Sequence, residues 1–238
     1  MSNKTDTSQQ IPLPFGTFER FNFDLFLPEK NQQVVQQLKS MARGEDSKNI
    51  YLWGQSGTGK SHLLQAVCTT ASNSGIKAAY IPFNQIEELS SGLLQGLEQL
   101  DIVCLDDLDN IVGDNEWETV LFHLFNRLRD NNCPMAFAAK QSPQGIQIAL
   151  PDLKSRFAWD LTFRLLLLNN ESITLALKKR AQSRMFNLPD NVLNYLVKLV
   201  SRDTHTLFGL LNKLDDATLA SKKKLTIPFV KELLNLDN

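Results

Sequence analysis

Only three cysteines occur in the 238 residues, Cys68, Cys104 and Cys133, and they are far apart and odd in number. They fit neither a disulfide framework nor a metal knuckle, so buried, reduced thiols in a cytoplasmic protein are expected. An excess of charge of one sign is also missing. With 25 Lys and Arg against 26 Asp and Glu, the formal net charge is −1, which gives no overall pull on a polyanion. Any approach to DNA must then be local or borrowed from a partner. No apolar run approaches the roughly 20 residues that a membrane span needs, so no membrane association is expected. The N-terminus has no basic patch followed by an apolar stretch, so no secretory signal is expected. No internal repeat is visible. The length suits one large domain, or a medium α/β domain with a small helical one attached.

Residues 1–17 read as a polar tail. Within it lies QQIPLPF, Gln9 to Phe15, where three large apolar side chains alternate with two prolines. The prolines remove two backbone donors and fix φ, which suits an extended, exposed peptide better than a central strand. The alternative is a greasy arm packed back on its own domain. Phe18 to Leu27 mixes aromatics with charges, and NQQVVQQLKSM then has helical spacing at Val34, Val35, Leu38 and Met41. Four short apolar runs, NIYLW, AAYIPF, DIVCL and MAFAA, alternate with the helical patterns SHLLQAVCTTAS, QIEELSSGLLQGLEQL and NEWETVLFHLFNRLRD. A parallel sheet covered by helices on both faces produces this alternation. After about Leu168 the runs vanish and four helical patterns follow. The last, TIPFVKELLNL, has Thr226 as N-cap and Pro228 in its first turn. The expected organisation is a tail over 1–17, an α/β domain over 18–167 and a helical domain over 168–238.

The strongest signal is GQSGTGKS: Gly54, Gln55, Ser56, Gly57, Thr58, Gly59, Lys60 and Ser61. It follows an apolar strand and precedes a helix, the setting of a phosphate-binding loop. Its glycines let the backbone wrap closely and point N–H groups at an anion, Lys60 reaches terminal phosphates, and Ser61 can ligate Mg2+. His62, next along, is grouped with the loop, although its helical setting suits packing as well. IVCLDD supplies the acidic partners at the end of another apolar run: Asp106 for Mg2+ and Asp107 to orient an attacking water. Two adjacent carboxylates can also be no more than a solvated turn.

In this order FDLF, GQSGTGKSHLLQAV, LDDLD, LPDLKSRFAWDL and LTIPFVKELL resemble the AAA+ ATPases and, within them, the bacterial replication initiator DnaA, over about Phe23 to Leu236. The resemblance implies an AAA+ P-loop parallel sheet sandwiched by helices, followed by a small all-α lid. It also implies an adenine nucleotide, ADP or ATP (or another nucleoside diphosphate), with Mg2+. DnaA continues into a helix-turn-helix module that grips duplex DNA; none follows here, so DNA contact is expected only through partners. A DnaA-like core with such a tail resembles regulatory homologues that act with the sliding clamp of DNA polymerase to drive hydrolysis of ATP held by DnaA. QIPLPF resembles a clamp-binding peptide of the Q-x-x-L-x-F kind, with Gln10, Ile11, Leu13, Pro14 and Phe15 in contact. Burying its three apolar side chains yields roughly 5–9 kcal/mol gross, and ordering the tail returns about 2–5.

In LKSRF the resemblance implies that Arg156 points out of its own site into a neighbour's, as an arginine finger on the transferring phosphoryl group; a surface arginine is otherwise simply solvated. Two positions depart from the family pattern. Lys140, after MAFAA, could pair with Asp106 or Asp107 and compete with the metal, and His205 stands where the family has an arginine reaching the phosphates. Both point to a nucleotide kept mainly as a structural ligand. Phe26 and Leu27 are the candidates for the base pocket. The expected partners are the clamp and DnaA, with a homo-oligomer left open. A self-sufficient AAA+ ATPase or clamp-loader-like subunit is the second reading. A DNA-binding initiator or transposition helper is the third, disfavoured by the near-neutral charge.

Overall fold

The computed structural model describes residues 21–84, 94–200, 204–221 and 223–234, except the side chain of His205; the tail peptide from Gln10 to Phe15 lies outside them. The four apolar runs form β1 (Ile50–Trp53), β2 (Ala78–Pro82), β3 (Ile102–Asp106) and β4 (Met135–Ala139). A fifth strand, β5 (Leu161–Arg164), completes a parallel sheet in the order β2-β3-β4-β1-β5. The search for apolar runs misses β5 because it is an edge strand. Leu161 and Phe163 are half-buried while Thr162 and Arg164 are exposed, so it alternates where central strands are continuously apolar.

Among the described residues three helices flank the sheet: α1 (Gln32–Ala42), α2 (Lys60–Asn73) and α3 (Asn115–Asp130); the short α4 (Pro151–Arg156) precedes β5. The strands divide their side chains between two cores. Ile50, Leu52, Ile102, Cys104, Ala136 and Ala138 face α1 and α2, whereas Tyr51, Val103, Leu105, Met135 and Phe137 face α3 and α4. The period of two along each strand forces this division. Ala136 and Ala138 of β4 thin the sheet on one side, and the large Phe137 fills the other, stacked on Phe125 at 6.2 Å and edge-on to Phe157 at 5.1 Å. The helical pattern over 85–100 is described only from Leu94 onward. There it gives a 3-10 turn at Leu97–Gln99 instead of an α-helix, because Gly96 turns the chain at φ 80°.

The C-terminal helices α5 (Asn170–Ser183), α6 (Asp190–Leu199), α7 (Thr204–Ser221) and α8 (Ile227–Leu233) enclose a third core of Ile173, Leu177, Leu193, Leu196, Leu211 and Val230, among others. Asn169 caps α5 and, as expected, Thr226 caps α8, its hydroxyl accepting from the Phe229 N–H. The hinge into this lid is fastened by Asn31, 4% exposed, whose amide donates to the Leu166 carbonyl at 3.1 Å and accepts from the Leu166 N–H at 3.0 Å. All three cysteines are free and buried. No helix among the described residues is long and apolar enough to cross a membrane.

Because Phe137 joins β4 to both α3 and the segment after α4, Phe137→Ala should cost about 3–5 kcal/mol in unfolding free energy. Denaturant titration of the purified variant measures it.

Candidate functional site

β1 ends at Trp53 and α2 begins at Lys60, so GQSGTG makes the whole turn between them. Two of its glycines are required by close approach. A Cβ on Gly54 would lie 2.7 Å from the Leu165 carbonyl oxygen, and one on Gly59, at φ 90°, would lie 2.7 Å from the Phe26 ring. Lys60 is buried, and its ammonium donates to the carbonyls of Gly54 at 2.7 Å and Gln55 at 3.1 Å. Burial pushes its pKa down, while Asp106, Asp107 and Asp109 oppose that shift. The first residue of α7, the buried Thr204, donates its hydroxyl to the Gly57 carbonyl at 2.5 Å, so the lid rests directly on this loop.

Asp106, at the end of β3, is fully buried. Its carboxylate accepts the Tyr80 hydroxyl at 2.7 Å and the Asp107 N–H at 2.8 Å. Asp107 turns the chain at φ 55°, and burial, together with repulsion from Asp106, raises its carboxyl above the ordinary value. The oxygens of Ser61 and Asp106 suit a hard cation such as Mg2+. Among the described residues no group of three or more His, Cys, Asp or Glu could cage a metal alone. A loop-bound Mg2+ does not need such a cage, since substrate phosphates and water complete its shell and the ion neutralises phosphate charge. Lys140 is exposed, and among the described residues it forms no ion pair with Asp106 or Asp107. Its backbone N–H instead donates to Asp109 at 2.7 Å. The direct pairing considered from the sequence is therefore not formed, although the Lys140 charge still acts on the Asp107 carboxyl and opposes its upward shift.

The lead-in arm closes the other side. His62, the third residue of α2, has Nε2 2.8 Å from the Asn22 carbonyl and lies edge-on to Phe21 at 5.4 Å and tilted against Phe26 at 5.8 Å. Arg180 of α5 lies over the Phe21 ring at 5.0 Å and over Phe208 at 5.6 Å. Arm, P-loop helix and lid therefore meet around His62. Phe26 touches the loop at Gly59, and Leu27 follows it half-buried. His205 is the second residue of α7, beside Thr204; its side chain is outside the described residues.

Arg156 lies elsewhere. It is the last residue of α4, half-buried against α3, with its guanidinium 4.1 Å from the Phe122 ring centroid, 5.3 Å from Phe125 and 5.7 Å from Trp159, and hydrogen-bonded to the Asn126 side chain. Burial and the nearby Arg129 lower its pKa. Four residues later Asp160 accepts the Asn49 N–H at the start of β1. Arg156 is thus near the sheet edge where the strands begin, and the P-loop is at the edge where β1 ends. No carboxylate among the described residues pairs with it, Asp152 and Asp160 included.

A family model of the bacterial DnaA ATPase domain matches residues 18–164, and a model of the Hda lid domain matches residues 170–234. The chain belongs to the DnaA family of AAA+ proteins. An uncharacterized protein of Haemophilus influenzae is 36% identical over 230 residues, which cover 96% of this chain and all of that one. Domain III of the Thermotoga maritima initiator DnaA superposes with a TM-score of 0.75 at 24% identity, over 92% of this chain and 95% of that one. The AMPPCP-bound DnaA of Aquifex aeolicus gives 0.65 at 21% identity, over 82% and 65%. These likenesses show the fold, and the lid match makes this an Hda-like member of the DnaA family. Around its P-loop the fold gathers Gly54 to Ser61, Asp106, Asp107 and Phe26, with His62 in the wall. Sequence reading missed Asn31, Tyr80, Thr204 and Arg180, each of which acts through a partner distant in the chain.

Burial pushes the His62 pKa down to about 4 from 6.5. In that window the unfolded chain takes up the proton first, so stability should fall as pH drops from 6.5 toward 4, by at most about 1.4 kcal/mol per pH unit. His62→Gln keeps a donor toward Asn22 and removes the titration, so its unfolding free energy should change less over the same range. Denaturant melts of both proteins across that range test this.

Proposed function

We propose that this chain regulates replication initiation by lending Arg156, in trans, to ATP held by DnaA, with the DNA-loaded sliding clamp as the meeting place. In this reading Gln10, Ile11, Leu13, Pro14 and Phe15 hold the clamp. An adenine nucleotide with Mg2+ fills the chain's own loop, supported by Gly54 to Ser61 and Asp106, with Asp107 beside it. The observation that carries the reading is the separation of the two cationic groups. Lys60 is committed to the chain's own phosphate loop, whereas Arg156 is cradled on α3 near the opposite sheet edge and forms no ion pair with a carboxylate among the described residues. A planar, always-ionised guanidinium with several donors suits charge developing on a phosphoryl group.

A second reading, a self-sufficient ATPase, gains from Lys140, which leaves Asp106 and Asp107 unpaired with it. In that case the isolated protein turns over ATP at a rate that Asp107→Asn abolishes.

For the first reading, Arg156→Ala and Arg156→Lys should bind nucleotide and clamp normally, yet lose the stimulation of DnaA-bound ATP hydrolysis. The expected loss is about 10³–10⁵ in rate, or roughly 4–7 kcal/mol of barrier. The assay measures phosphate release from purified DnaA with clamp loaded on DNA; near-normal stimulation by folded Arg156→Ala overturns the proposal. Leu13→Ala with Phe15→Ala should abolish clamp binding without lowering the melting temperature.

A further inference from the structure

Glu118 is a charged residue that the fold buries. It sits in the first turn of α3, is 1% exposed, and forms no ion pair among the described residues. Its carboxylate is instead surrounded by backbone donors. Oε1 accepts the Gly113 N–H at 3.1 Å and the Ala149 N–H at 3.1 Å; Oε2 accepts the Ala149 N–H at 2.9 Å and the Leu150 N–H at 2.9 Å. A buried carboxylate is tolerable only when its lone pairs are filled in this way, and charge-assisted bonds of this kind are among the stronger ones.

The location gives the arrangement its meaning. Leu150 is the N-cap of α4 and offers that helix no side-chain cap. Glu118 therefore fixes the chain just before α4, while Asn126, eight residues further along α3, meets Arg156 at its other end. Eight residues of α-helix span about 12 Å and the six of α4 about 9 Å, so α3 fastens α4 at both ends. Through Gly113 the same carboxylate holds the end of the segment that starts at Asp107.

We infer that Glu118 is a positioning residue for Arg156: its carboxylate sets where α4 starts, and so where the guanidinium points. The inference rests on the reading of Arg156 as the residue lent in trans. Glu118→Gln keeps shape and size but replaces one acceptor with a donor facing backbone donors. The variant should keep its circular dichroism and its own nucleotide affinity, while the amides of Ala149, Leu150 and residues 152–156 exchange about tenfold faster and those of β3 and β4 do not change. In the DnaA assay its maximal stimulation should drop roughly 10–100-fold, with the half-saturating concentration unchanged, because a misplaced group loses rate before it loses affinity. A merely structural role would instead lower the melting temperature and weaken nucleotide and partner binding together.

The wild-type protein supplies an independent arm. Although Ala149 lies on the surface, its amide and that of Leu150 should be strongly protected from exchange, and free exchange at both overturns the inference whether or not the variant folds. If wild type fails to stimulate DnaA while residues 149–156 loosen in Glu118→Gln, the trans reading has failed and the anchoring of α4 stands. Normal exchange and normal stimulation in the variant sink the positioning role.

Discussion

The fold hangs on one turn of backbone, the six residues from Gly54 to Gly59 that carry the chain from β1 into α2. Its carbonyls hold the Lys60 ammonium and take the Thr204 hydroxyl, and its glycines admit the Leu165 carbonyl on one side and the Phe26 ring on the other. Sheet, arm, hinge and lid thus all press on the same few atoms. N–H groups arranged around such a turn seek an anion, and a polyphosphate bound there adds its binding free energy to the stability of everything that touches the loop. The lid rests on the loop through the Thr204 hydroxyl on the Gly57 carbonyl.

A second constraint separates two kinds of chemistry within one domain. Acidic groups collect where β1 and β3 end, with Asp106 wholly buried beneath Tyr80 and Asp107 beside it. The arginine collects on the α3 face, near the edge where the strands begin, among Phe122, Phe125 and Trp159. An arginine so placed lies away from the chain's own phosphate loop, which follows the end of β1. Trp159 is 52% exposed beside it, the kind of aromatic neighbour that protein interfaces favour. In the proposed account, the chain holds one nucleotide to stay folded and meets another to act on it.

Much of this was legible in the sequence because it depends on local spacing. The P-loop needs glycine, lysine and a hydroxyl at fixed offsets; the strand-and-helix alternation and the Thr226 cap are equally local. β5 was not legible, since LTFR is half exposed and reads as loop until Ile50 is seen to pair with Leu161. Nor was Asn31, whose amide pairs with a residue 135 positions away, or Thr204, which reaches back 147 positions to Gly57. Glu118 looked like one more charge on a helix, because its partners are backbone N–H groups that no residue type announces. The role expected for Lys140 came from the family pattern; its side chain is exposed, its N–H is on Asp109, and it forms no ion pair with Asp106 or Asp107 among the described residues, though its charge still opposes the rise of the Asp107 carboxyl.

The central claim is that hydrolysis takes place on the partner's nucleotide and is promoted from this chain. The most direct test loads DnaA with ATP labelled on the γ-phosphate and this chain with unlabelled nucleotide, mixes them with clamp on DNA, and then repeats the experiment with the label exchanged. The account predicts rapid release of labelled phosphate when the label starts on DnaA and little when it starts on this chain. Rapid release from this chain's own site, with DnaA-bound label left intact, would contradict it.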